Sequence, residues 1–117
     1  MSVEQEDSAA AWLTLADAAA ALGVSASKVR QMVRDHELAM VRRAGSREPE
    51  IPAAFILDGV VVKGLPGTLT VLTDKGLTDA EAVDWLLTAE ESLPGRPIDA
   101  LRENRGREVR RRAQVLI

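Results

Sequence analysis

The chain has 117 residues, 46% of them hydrophobic, with no cysteine and one histidine. That length allows one compact domain or two small ones sharing a core, and the apolar share favours a globular chain over a disordered one. A disulfide framework and a thiolate metal site are both excluded, and no apolar run approaches the ~20 residues that span a bilayer.

The N-terminus, MSVEQEDSAAA, is acidic and polar, unlike a signal peptide, and residues 1–11 are expected to form a flexible tail. Thr14 is a good N-cap, because its hydroxyl can accept from a backbone N–H that the first turn of a helix leaves orphaned. Asp17 adds negative charge where the helix dipole favours it. Leu15, Ala18, Ala19 and Leu22 then recur at i, i+3, i+4 and i+7, one apolar stripe on a helical period. Gly23 suits the left-handed residue that stops such a helix. Val24 is expected to plug the turn, and Ser25 to cap the next helix at once. Two helices joined by so short a linker must cross steeply, as in a helix-turn-helix.

The second helix, expected over 26–35, buries Val29, Met32 and Val33. On its other face Ser27, Gln31 and Arg34 stand at i, i+4 and i+7, with Lys28 and Arg30 beside them. Small polar residues, an amide for base edges and cations for phosphates are what a recognition helix needs. An ordinary amphipathic helix with a solvated basic face has the same composition, so the helix alone leaves both open. Leu38-Ala39-Met40-Val41 reads as a strand, Arg42-Arg43-Ala44-Gly45-Ser46-Arg47 as a basic turn, and Glu50-Ile51 as a return strand ended by Pro52. A wing over 38–51 places Arg42, Arg43 and Arg47 beside a basic helix, which favours contact with a DNA backbone over a merely soluble hairpin tip. His36 is expected to end the recognition helix.

The stretch WLTLADAAAALGVSASKVRQMVRDHELAMVRR resembles the excisionase and MerR-type winged helix-turn-helix pattern. The whole chain after Ala11 is similar to a small family of actinobacterial winged-helix DNA-binding proteins, in which a segment like IPAAFILDGVVVKGLPGTLTVL leads from the wing into a helical C-terminal domain. The resemblance implies duplex DNA binding, with Ser27, Lys28, Arg30, Gln31 and Arg34 at the DNA-facing helix positions and Arg42 and Arg43 on the wing. Ser25, at the helix start, and Arg47, at the wing tip, complete the expected DNA-binding set.

In the second half, Asp58-Gly59 suggests a turn between the apolar runs 55–57 and 60–62. Pro66 suits the first turn of a helix running to about Lys75, with Leu65, Leu69 and Leu72 buried and Gly76 as its stop. Thr78-Asp79-Ala80-Glu81 is a capping box opening a further helix, whose apolar side is Val83, Leu86 and Leu87. Trp85 is expected to be a core anchor. A turn and short helix follow over 93–101, then a last helix from about Arg105 to Leu116 that buries Val109, Ala113 and Leu116. The order W-L-x-T…L-x-G-x-P-I-D-A-L…V resembles the C-terminal domain of Xre/ParS-type antitoxins, which implies a protein partner for this half. The extra N-terminal helices of an Xre-type DNA-binding domain are missing here. The arginines of the last helix fit either a solvated surface that complements the helix dipole or a second phosphate-contacting surface.

The net charge of −3 conceals its distribution. Residues 25–47 carry six bases against two acids and residues 102–117 six arginines against two acids, whereas residues 48–101 carry ten acids against three bases. A polyanion near the helix-turn-helix meets positive charge although the whole chain is acidic. No cysteine or tyrosine, no phosphate-cradling glycine loop and no HExxH motif is present. The chain is expected to be a non-enzyme without cofactor or metal, mainly α with a small β-wing. The expected organisation is a winged helix-turn-helix over 12–57 packed on a helical C-terminal half over 58–117. The function expected is that of a cytoplasmic, nucleoid-associated DNA-binding protein or transcriptional regulator; the alternative is an antitoxin-like or adaptor protein whose second half binds a partner. No heptad repeat is sustained, so a coiled-coil dimer is disfavoured and a monomer expected.

Overall fold

Capping side chains and left-handed stops set most of the backbone's path. The computed structural model describes residues 11–90, 93 and 95–116, so the expected tail lies outside it except for Ala11. The elements in chain order are β1 (Trp12–Leu13), α1 (Leu15–Leu22), α2 (Ala26–Arg34), β2 (Ile51–Pro52), a 3₁₀ turn (Ala53–Phe55), β3 (Ile56–Leu57), β4 (Val60–Val61), α3 (Leu65–Asp74), α4 (Asp79–Leu87), α5 (Pro97–Arg102) and α6 (Gly106–Gln114). Helices dominate and the strands are two antiparallel pairs, the mainly α fold with a small β-wing read from the sequence.

Thr14 Oγ1 accepts the Asp17 N–H at 3.0 Å and Ser25 Oγ accepts the Lys28 N–H at 3.0 Å, which starts α1 and α2. At α4 the box is reciprocal: the Glu81 N–H donates to Thr78 Oγ1 at 3.1 Å, and the Thr78 N–H to Glu81 Oε1 at 2.8 Å. Gly23 ends α1 at φ 70°, with the Val24 N–H reaching back to the Ala19 carbonyl at 3.0 Å. His36 ends α2 the same way at φ 60°, the Glu37 N–H donating to the Met32 carbonyl at 2.9 Å. This double-bonded stop needs a left-handed residue, and α2 supplies it without glycine.

Two local expectations fail. Val24 does not plug the turn; it is 37% exposed, its N–H bonded back to the Ala19 carbonyl at 3.0 Å. Leu38 to Val41 is not a strand: only Val41 is bridged, to Glu50, and Leu38 and Ala39 are both buried in the core without a ladder partner. The wing ladder is a single bridge, Val41 to Glu50, closed by two bonds of 2.9 and 2.8 Å. The return strand β2 pairs instead with β1, Trp12 opposite Pro52 and Leu13 opposite Ile51. The Ala11 carbonyl extends that pairing by accepting the Ala53 N–H at 3.1 Å.

A tight hairpin joins the halves. Ile56 pairs with Val61 and Leu57 with Val60 across Asp58 and Gly59, at φ 54° and 82°. Two consecutive positive φ values are what a two-residue turn requires if it is to match the twist of its strands, and Asp-Gly meets that cheaply. The expected boundary at 57/58 falls inside this hairpin, and α1 packs against β4. Beyond it, α3 packs against α6, and α5 against both α4 and α6. Gly64 and Gly106 meet where α3 and α6 begin; a Cβ on Gly64 would stand 3.0 Å from Leu101 Cδ2. Leu65, Leu69, Leu72, Leu86, Ile98, Leu101 and Val109 form one buried cluster with Phe55, Ile51, Leu38, Val29 and Ala18. The two halves therefore share a core. Thr68, buried among them, donates its hydroxyl to the Gly64 carbonyl at 2.9 Å. Trp85 is only half-buried, beside an open groove it lines with Leu77 and Leu116. The last helix closes at Gln114, leaving Leu116 half-buried beyond it.

Arg102 ties the halves by hydrogen bonds: its Nη1 donates to the Ala54 carbonyl at 2.8 Å and to the Ile56 carbonyl at 3.2 Å. Arg102→Ala leaves both acceptors without that donor and is expected to cost about 1–3 kcal/mol, read as a lower urea midpoint. An unchanged midpoint would show that solvent satisfies these carbonyls. At α5, Asp99 accepts from Arg96 through the backbone N–H (3.1 Å), Nε (2.9 Å) and Nη2 (2.8 Å). Those side-chain bonds, opposed by partial burial, hold the Asp99 carboxyl below its ordinary value. The stabilisation is present above the unfolded aspartate range and lost as pH falls through the lowered value. Asp99→Asn is therefore expected to flatten the fall of thermal stability between about pH 5 and about pH 3.

Candidate nucleic-acid interface

Helix α2 is held from one side and offered from the other. Val29 is fully buried and Met32 and Val33 half-buried, while Ser27, Lys28, Arg30, Gln31 and Arg34 are exposed. Among the described residues none of these five side chains makes a hydrogen bond or ion pair. An unpaired amide and three unpaired cations on a helix pinned to the core are free to meet bases and phosphates. Ser25 works first as a cap; its oxygen is engaged, and its O–H remains to donate.

The three wing arginines separate. Arg42 Nη2 donates to the Arg47 carbonyl at 2.9 Å, bracing the tip from inside with most of its donors left over. Ser46 adds a bond from Oγ to the Glu48 carbonyl at 2.9 Å. Arg47 is exposed and its side chain has no partner among the described residues. Arg43 is committed elsewhere: its Nε donates to Glu50 Oε1 at 2.9 Å, and its guanidinium carbon stands 4.6 Å from the centre of the Trp12 ring. The nine expected residues lie between Ser25 and Arg47, five of them on the exposed face of α2, and Arg43 also serves as a clasp between wing and strand. Sequence inspection missed Trp12 and Glu50 as its partners. The hairpin register around Val41 and Glu50 could have suggested the second; nothing local signals the first.

Among the described residues no three His, Asp or Glu side chains converge as a metal site, and no helix is long and apolar enough to cross a membrane.

Residues 5–56 match the model of a family described as DNA-binding protein Rv2175c, wHTH domain, and residues 62–116 match that of the Rv2175c C-terminal domain of unknown function. The chain belongs to the Rv2175c family. DNA-binding protein Rv2175c of Mycobacterium tuberculosis (strain ATCC 25618 / H37Rv) is 44% identical over 108 residues, covering 81% of this chain and 73% of the relative. The NMR structure of Rv2175c superposes with a TM-score of 0.78 at 43% identity, covering 88% of this chain and 78% of that one. Membership of the Rv2175c family agrees with the actinobacterial winged-helix resemblance seen in the sequence.

The clasp has an energetic signature. A cation over an indole contributes about 0.5–1 kcal/mol at an exposed site, and an exposed ion pair about 0.2–1 kcal/mol. Arg43→Ala is expected to lower the unfolding free energy by about 1 kcal/mol, and a double-mutant cycle with Trp12→Leu to show coupling of about 0.5 kcal/mol or more. Strict additivity of the two changes would mean that the ring and the guanidinium do not interact.

Proposed function

We propose that the chain binds duplex DNA with α2 in the major groove and the wing on the neighbouring backbone, acting as a transcriptional regulator or nucleoid-associated factor. The observation that carries this is the exposed, unpaired ridge of Ser27, Gln31 and Arg34, flanked by Lys28 and Arg30, on a helix whose opposite face is fixed by Val29. Support also comes from the mycobacterial relative, which is itself described as a DNA-binding protein. In this proposal Gln31 reads a base edge, Lys28, Arg30 and Arg34 contact phosphates, and Ser25 and Ser27 donate near the helix start, where the dipole favours an anion. Arg42 and Arg47 approach the backbone from the wing. The protein acts as a non-catalytic monomer, and its location is cytoplasmic, on DNA.

A second proposal, protein binding through the C-terminal half, draws on the half-exposed Trp85 beside its open groove. Co-purification that Trp85→Ala abolishes without unfolding the chain would favour it.

Fluorescence anisotropy on duplex DNA across a salt series tests the main proposal. Arg34→Ala should weaken binding to all sequences and reduce the salt slope by about 0.9, the counterion release of one phosphate contact. Gln31→Ala should instead change sequence preference, by about 1–3 kcal/mol at one base pair. Absence of any shift by the wild-type chain on genomic duplexes at low salt would sink the proposal.

A further inference from the structure

The arginines of the C-terminal half fall into two groups. Arg96 is spent on Asp99, Arg102 on the Ala54 and Ile56 carbonyls, and Arg105 on Glu103 and Glu108 at 3.0 and 2.9 Å. Arg107, Arg110, Arg111 and Arg112 are all exposed, and among the described residues none has an acidic partner. Arg107 stands at i+3 and i+4 spacing from Arg110 and Arg111, so these unpaired guanidiniums repel one another and do not serve helix stability. Complementing the helix dipole accounts for charge in the last turn but not for Arg107 in the first.

Their placement is ordered. Val109 and Ala113 are fully buried against the core, which fixes the rotation of α6. Arg107, Arg110 and Arg111 then lie on one outward face, and Arg112 lies on the other flank of the buried stripe. The Arg110 stem passes Gly67 of α3, its Cδ 3.8 Å from where a Cβ on that glycine would stand. Arg107 and Arg111 border an open hollow of ≈ 520 Å³ with Asn104, Arg105 and Glu108, the last already paired to Arg105. Arginine is the cation whose planar fork matches a phosphate bidentately and holds its charge at any working pH.

We infer that the outward face of α6 is a second phosphate-contact surface for duplex DNA, carried by Arg107, Arg110 and Arg111, with Arg112 at its edge. This rests on the proposed DNA binding and adds to it a contact outside the helix-turn-helix. It gives the acidic middle of the chain a basic surface on each side in sequence. It also gives the otherwise unassigned half of the molecule a part in holding DNA.

The test uses the full chain and a fluorescein-labelled duplex of roughly 25 base pairs, longer than the ~10 base pairs that a 36 Å molecule covers at 3.4 Å each. The variant with all four arginines changed to glutamine should keep the wild-type thermal melt, because all four are exposed. Its salt slope between about 50 and 200 mM should fall by about 2 or more, at 0.9 per lost phosphate, and the corresponding lysine variant should restore most of it. In NMR titration with the same duplex, backbone amides of 106–114 should shift along with those of α2. A slope within about 0.5 of wild type overturns the inference. So do unmoved α6 amides while α2 shifts, because the slope change would then reflect only the general field. The paired change Arg30→Gln and Arg34→Gln separates the two proposals. If it abolishes binding while the α6 variant binds normally, the helix-turn-helix proposal stands and this inference falls. If only the α6 variant loses binding, the reverse holds. A wild-type chain that binds no DNA removes both.

Discussion

Every helix among the described residues is short, and that is the constraint on which the rest depends. The helices run from six to ten residues, and an isolated helix below about 12–15 residues is marginal in water whatever its composition. None is therefore a stable unit, and α2 can offer a polar ridge to a ligand only because other elements hold it. That support is one continuous cluster running from Ala18 and Val29 through Leu38, Ile51 and Phe55 to Leu65, Leu101 and Val109. Arg102 reinforces it at the seam by bonding two carbonyls of the connecting segment. Stability of the second half is thus a condition for the rigidity of the first. This is a physical reason for the two to be joined by a tight hairpin instead of a flexible linker.

Arginine does several different jobs in this fold, and its partners distinguish them better than its position in the sequence does. Arg43 lies over an indole and beside a carboxylate; Arg96 organises the start of α5; Arg102 satisfies backbone carbonyls; Arg105 joins two glutamates around the start of α6. Each spends its fork on the protein itself. Arg30, Arg34 and Arg47 in the first half, and four arginines on α6, spend theirs on nothing the described chain contains. A guanidinium left without a partner near several like charges gains little for the fold. Such groups are left available to an anion from outside.

What could be read from the sequence follows the range of the interactions. The caps at Thr14, Ser25 and Thr78 and the stop at Gly23 were legible, because each is a bond between residues a few positions apart. So were the stripes of α1 and α3, whose period is a property of one helix. The exposed ridge on α2 was legible for the same reason. The Leu38–Val41 segment reads as a strand because four apolar residues in a row fit one, whereas its ladder is a single bridge from Val41 to Glu50 and the rest packs into the core. The pairing of Ile51–Pro52 with Trp12–Leu13, and with it the Trp12–Arg43–Glu50 clasp, joins segments on opposite sides of the helix-turn-helix. No pattern within either segment announces that. Arg102 likewise looked like one of several terminal arginines until its carbonyl partners, nearly fifty residues earlier, came within reach.

The negative net charge then ceases to be a difficulty for the proposed DNA contact. At physiological salt the Debye length is about 8 Å, against principal extents of 36 × 34 × 28 Å. A phosphate at the surface of α2 therefore responds mainly to charges on and beside that helix, Lys28, Arg30 and Arg34 among them, and only weakly to acids more than a Debye length away. Those acids do act at a distance when salt is low and the Debye length approaches the size of the protein, where they oppose indiscriminate adhesion to any polyanion. An acidic body with local basic surfaces thus favours contacts in which the right face is already turned towards the backbone. Orientation, more than total charge, becomes the determinant of binding, and orientation is what the shared core fixes.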